Sequence, residues 1–195
     1  MSTTTTAPDV AGARSPRRRL VTMLVPMLLV AAVAPGVVGF RWWTHPDLFA
    51  DQGSSLRAAP APLGRSTLSA AVTFPRRGES GTITFRSATA HLAEDTAAAD
   101  VSLAVCHRDA GQDPVGGVRG EPGPACRELT PIVDGTRMTV GGGPERGDYV
   151  VAVITPTRPG TSRLTRVDLD YTLGRAGWWR HGTDTVRLDL TVRAR

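Results

Sequence analysis

Residues 166–173 (RVDLDYTL) and 185–193 (TVRLDLTVR) alternate apolar and polar side chains without a break. Successive side chains of an extended strand point to opposite faces, so a period of two gives one apolar and one polar face. A helix with this pattern would scatter its apolar groups around the whole circumference. Val167, Leu169, Tyr171 and Leu173 therefore share a face that a second layer must cover, as do Val186, Leu188, Leu190 and Val192. Arg166, Asp168, Asp170, Arg187, Asp189 and Arg193 point outward, where opposite charges on adjacent strands pair for about 0.2–1 kcal/mol each.

The same period recurs upstream in TLSAAVTF (67–74), GTITFRS (81–87), DVSLAVCH (100–107), CRELTPIV (126–133), TRMTV (136–140) and DYVVAVIT (148–155), separated by turns carrying Gly, Pro or Asp. Residues 149–154 are apolar on both faces and are expected in the centre of a sheet. A turn of helix is expected only in HLAEDTAAAD (91–100). The expectation for residues 65–195 is an all-β, antiparallel two-sheet sandwich, immunoglobulin-like or jelly-roll-like.

The N-terminal quarter obeys different rules. Residues 20–40 carry no charge and a single hydroxyl, Thr22. As a helix these residues would measure about 31 Å, the thickness of a bilayer core. A cleaved signal peptide would have a shorter apolar region ending in small residues. Ala32-Val33-Ala34 has that form, but Pro35 follows it and fits an extended protease site poorly, so a retained transmembrane helix is expected. Arg14, Arg17, Arg18 and Arg19 precede the span, which keeps the N-terminus cytoplasmic. Trp42 and Trp43 follow it and suit the membrane interface. Residues 1–19 read as a disordered cytoplasmic stub. Residues 41–64 read as an interfacial segment and a Pro/Ala-rich linker holding the domain off the bilayer.

A sequence pI near 10.4 suggests a nucleic-acid partner, but all 23 basic residues are Arg, a usage that looks like the codon bias of a GC-rich genome. Without the stub, 19 Arg face 17 acids with the signs interspersed, so no nucleic-acid footprint remains. Outside the cytoplasm thiols oxidise, and Cys106 and Cys126 are expected to form a disulfide closing a Gly- and Pro-rich loop. Such a closure contributes about 3 kcal/mol by chain entropy.

Several motifs carry less than they spell. GVRGEPGPA is too short for a collagen helix, and Arg146-Gly147-Asp148 sits where a turn belongs. Asp109 and Asp113 supply too few oxygens for calcium, and Cys106 and His107, as neighbours on a strand, point apart rather than toward one metal. No nucleophile elbow, zinc-protease or phosphate-loop motif occurs; His45 lies by the span, and His91, His107 and His181 fall at strand ends or turns without an obvious Ser or Cys partner. No catalytic residue, cofactor or metal is therefore expected. The turn LGRAGWWRHGTD places Trp178, Trp179 and Arg180 together. An exposed indole there would suit a sugar ring or a partner's pocket, while an inward one would plug the end of the core.

The Arg-led span, FRWWTHPDLF, the Cys pair and VDLDYTLGRAGWWRHGT together resemble uncharacterised single-span exported proteins of high-GC actinobacteria. The resemblance implies no particular activity. Two functions follow from the sequence. One is a membrane-anchored, extracytoplasmic, non-catalytic binding or structural module of the cell envelope, with an envelope protein or wall glycan as partner. The other is an accessory subunit of a membrane complex, in which Ala31, Ala32, Ala34, Gly36 and Gly39 allow the span to pack closely against another helix.

Overall fold

The computed structural model describes residues 33, 35–41, 44, 46–76, 81–109, 116–140, 147–174 and 180–195. The chain divides into two compact units, Met1–Trp42 and Trp43–Arg195. In the first, the described residues 33 and 35–41 are helical, with Val33, Val37, Val38 and Phe40 exposed. Among the described residues no helix is long and apolar enough to cross a membrane. The expected span, 20–40, lies mostly outside them.

The second unit is built from strands β1 (Gln52–Arg57), β2 (Leu68–Thr73), β3 (Gly81–Asp95), β4 (Asp100–His107), β5 (Gly117–Arg119), β6 (Glu128–Pro131), β7 (Arg137–Val140), β8 (Tyr149–Thr155), β9 (Gly160–Leu173) and β10 (His181–Ala194). They form two five-stranded sheets, ordered β1-β10-β9-β3-β7 and β5-β2-β8-β4-β6. All pairings between these strands are antiparallel except β1 with β10. The protein is thus mostly β, with the two sheets layered around a shared core.

The alternation foreseen in the last two strands is the one observed. Val167, Leu169, Tyr171, Val186, Leu190 and Val192 are fully buried, and Val167 pairs with Val186. They meet Ala70, Val72, Leu103, Val105, Val150, Ala152 and Ile154 from the second sheet, and Ile83 and Phe85 from β3. Burying each large side chain contributes about 1.5–3 kcal/mol. On the outer face Arg163 Nε lies 2.7 Å from Asp189 Oδ1, a cross-strand ion pair made by an arginine upstream of the alternating stretch, while Arg166 stands opposite Arg187.

β8 occupies the middle of its sheet, as its two apolar faces require. Its second face, with Ala71, Cys106, Tyr149 and Val151, is covered by Phe74, Ala125, Cys126 and Leu129. The Cys106–Cys126 disulfide fastens that cover at the end of β4.

Three expectations are corrected. Residues 91–95 continue β3 rather than turning into helix: His91 pairs with Arg166, Leu92 with Leu164 and Glu94 with Arg163. Asp95 then closes a tight turn, accepting from Ala99 N–H at 2.9 Å and from the Ser162 hydroxyl at 2.5 Å. The Ala-rich run reads as helix by propensity, but pairing with the 14-residue β9 outweighs that weak preference. Within the cystine loop, Gly117–Arg119 forms a short edge strand beside β2.

The third correction concerns residues 41–64, expected as a linker. Leu48 and Phe49 are buried at 1 % and 0 % exposure, Gln52–Arg57 forms β1, and Ala61 bridges to Ala194. The domain therefore takes in most of that segment. As an edge strand β1 pairs with β10 alone, and its sequence QGSSLR looks like tether.

Candidate functional site

The connection between β9 and β10 carries the sequence-expected contact residues, and its described ends, Leu173, Gly174 and Arg180, are fixed by hydrogen bonds. Leu173 N–H donates to the Arg180 carbonyl at 2.9 Å, closing the base of the turn. Gly174 leaves β9 with φ 68°, a left-handed conformation that suits glycine, and its N–H donates to the Thr82 carbonyl at 2.9 Å. Trp178 and Trp179, and likewise Trp42 and Trp43, which the sequence suggests for a membrane interface, lie outside the described residues. Arg180 is described and half-buried.

A cleft of about 360 Å3 opens at the base of this turn, lined by Thr82, Thr84, Arg137 and Gly174. The sheet register assembles it. Thr84 pairs with Thr172 on one side and with Arg137 on the other, so a hydroxyl and a guanidinium from different strands stand side by side. Its lining offers hydroxyls that donate and accept and a cation that donates. Among the described residues its lining can hold a polar ligand through these hydroxyls and the guanidinium. Sequence reasoning reached the turn through its tryptophans and missed the cleft, because Thr82, Thr84 and Arg137 belong to strands paired only by the fold.

A second polar cluster lies on the outer face of the same sheet. His91 Nε2 is 2.7 Å from Asp168 Oδ2, the Thr185 hydroxyl donates to Asp168 Oδ1 at 2.8 Å, and Arg166 Nη2 is 3.4 Å from Asp168 Oδ2. Partial burial pulls the Asp168 carboxyl upward, but Thr185, His91 and the Arg166 charge outweigh it, leaving the group below the ordinary carboxylate value. The imidazole and the hydroxyl contact separate oxygens of one carboxylate. A nucleophilic relay needs the imidazole between hydroxyl and acid, so this arrangement is an ion-pair network and not a triad.

Asp148, from the adhesion-like tripeptide, is turned inward. Its Oδ2 lies 3.0 Å from His107 Nδ1 and accepts from Thr139 N–H at 3.0 Å, which ties the start of β8 to β4 and β7. Asp109, considered for calcium, pairs with Arg127 at 3.4 Å, and Asp113 lies outside the described residues. Among the described residues no three His, Cys, Asp or Glu side chains converge as a metal would require.

The densest polar site was not foreseen. Asp184 points into the core from β10 at 8 % exposure, beside Tyr171 from β9. The Tyr171 hydroxyl lies 2.6 Å from Asp184 Oδ2 and 3.0 Å from the Pro46 carbonyl, and it accepts from Leu48 N–H at 3.0 Å. Asp184 Oδ2 also accepts from Leu48 N–H at 3.2 Å and Phe49 N–H at 3.1 Å. Burial pushes the Asp184 carboxyl above its ordinary value. Tyr171 and Phe49 pull against that rise, and the neighbouring Asp47 carboxylate adds to it. The phenol of Tyr171 is raised as well, by burial first and then by its bond to Asp184 and that group's charge. The signal was present in the sequence: Asp184 occupies an inward position of the alternation that continues with Val186 and Leu188, and a buried carboxylate needs donors.

No family model, curated protein or solved structure matches the chain.

Proposed function

We propose that the protein is a membrane-anchored, extracytoplasmic, non-catalytic binding or structural module of the cell envelope, which recognises an envelope protein or wall glycan through the end of the sheet that carries the β9–β10 turn. The cleft formed by Thr82, Thr84, Arg137 and Gly174 carries this reading. It offers hydroxyls and a guanidinium for a hydroxylated or anionic ligand. It also lies at the foot of the turn whose two tryptophans supply apolar faces in the sequence. The Cys106–Cys126 cystine favours an oxidising compartment over the cytoplasm. Of the two sandwich types open from the sequence, the strand order favours the immunoglobulin-like one. β10-β9-β3 and β2-β8-β4 follow the strand orders of the two sheets of that fold, and β5, β6 and β7 extend the edges.

Photo-crosslinking amino acids placed at Thr82, Thr84 or Arg137 of the full-length protein in intact cells test the proposal. Capture of an envelope protein or glycan at these positions, lost in Arg137→Glu, is the expected result. Capture confined to crosslinkers within residues 20–40 would instead make the span the working surface and the protein an accessory subunit of a membrane complex.

A further inference from the structure

The register of the β10-β9-β3-β7 sheet sets its outward side chains in rows. Thr172, Thr84 and Arg137 form one row, Thr183, Asp170 and Ser87 the next, and Thr185, Asp168 and Thr89 the one after. The first row gives Thr84 and Arg137 to the cleft. The other two have the same make-up, a carboxylate between two hydroxyl residues, and opposite fates. Asp168 is satisfied by Thr185, His91 and Arg166. Asp170 Oδ1 is enclosed and has no hydrogen-bond partner among the described residues. A buried acceptor without a donor costs about 1–3 kcal/mol, and this one stands a single row from the cleft. Asp170 as a whole is only half-buried, so a cation can approach its carboxylate from the face. Across β3, Arg137 is exposed and joins none of the ion pairs among the described residues. An anion and a cation thus flank the threonines of one cleft, each without a counter-charge.

We propose that Asp170 and Arg137 are the two poles of this cleft, and that its ligand is a zwitterion of short-peptide length, with its ammonium at Asp170 and its carboxylate at Arg137. The proposal deepens the reading of the cleft as a binding site and rests on it. The sheet spacing sets the length. Asp170 is two residues from Thr172 along β9, about 6.7 Å, and β3 separates β9 from β7, which adds about 9.6 Å sideways. The α-carbons of the two poles are therefore about 12 Å apart. Strand side chains stand roughly perpendicular to the sheet, so the charges keep a separation of that order, shortened where the guanidinium leans over the cleft. An extended peptide advances about 3.3–3.6 Å per residue, so two or three residues reach both poles and one does not. Thr82 and Thr84 lie along the cleft, where their hydroxyls can donate to and accept from the peptide groups in the middle. Arg137 suits a carboxylate because its fork offers two parallel N–H donors.

Saturation-transfer NMR titrations of the full-length protein with triglycine, N-acetyl-triglycine, triglycine amide and glycine test this. Triglycine should bind, and blocking either of its ends, or shortening it to glycine, should weaken binding about 10-fold or more. Asp170→Asn should remove the discrimination against the acetylated peptide and keep that against the amide; Arg137→Gln should do the reverse. Asp170→Asn should also melt no lower than the unaltered protein, because it removes a charge that the fold leaves uncompensated. A lower melting temperature would show the carboxylate already satisfied within the domain and would overturn its role as a pole. Absence of triglycine binding, or discrimination that neither substitution moves, would overturn the proposal as a whole. Capture of an envelope protein or glycan by crosslinkers at Thr82 or Thr84 alongside either of those results would keep the cleft as a binding site and remove only its two poles.

Discussion

Asp184 and the carboxylates on the outer face of the sheet respond to pH in opposite senses. The folded chain holds the Asp184 proton more tightly than the unfolded chain does. The stability this contributes is present below the ordinary value of 3.8 and is lost as pH rises through the elevated folded value. Asp189 is held low by the hydrogen bond from Arg163, and then by the charges of Arg163 and Arg57, despite some desolvation; Asp95 is held low first by the Ser162 hydroxyl. Their contribution is present above 3.8 and is lost as pH falls through their lowered values. Denaturant unfolding across pH should therefore show a stability maximum on the acid side of neutrality. Asp184→Asn should flatten the decline above the maximum and leave the acid-side loss in place; an unchanged decline would mean that Asp184 does not titrate there. Two glycines are equally particular. At Gly160, with φ 152°, a β-carbon would stand 2.7 Å from the Thr96 backbone, and at Gly182 it would strike Pro46 and Tyr171. Each Gly→Ala change should cost about 2–4 kcal/mol by denaturant unfolding, well beyond the ordinary surface range. Only Gly182→Ala should also speed hydrogen exchange in residues 46–51.

At the scale of elements, the strands with clean alternation were legible because burial on one face writes the pattern directly. β9, β10 and the doubly buried β8 stand in the positions their side chains dictate. β1 and the last turn of β3 were not legible. QGSSLR has one large apolar residue and HLAED reads as helix, and both become strands only because long neighbours offer unpaired edges. The cleft was illegible for a related reason: Thr84 and Arg137 meet through a register that depends on β7 joining β3 from some fifty residues away. The cystine loop was legible from two cysteines, though its role as a cover was not. Because it closes over Tyr149, Val151 and Ala71, replacing both cysteines with Ala should cost about 3 kcal/mol and increase binding of a hydrophobic dye. A melting temperature within one degree of the unaltered protein would show that the cover holds without its staple. Leu169→Ala in the shared core should cost about 2–5 kcal/mol whether or not the cystine is present, since the two sites lie in separate apolar clusters.

At the scale of the whole molecule, the account joins a stapled two-sheet domain, which the described residues display, to an anchored and exported life, which the sequence and the cystine support. Export predicts an oxidised cystine, and anchoring predicts that residues 20–40 remain attached. Both predictions are read at once by intact-mass measurement of the native protein extracted from membranes, before and after reduction. The account predicts a chain that retains residues 20–40 and gains two mass units on reduction. A chain beginning near residue 35, recovered in the soluble fraction, would contradict it.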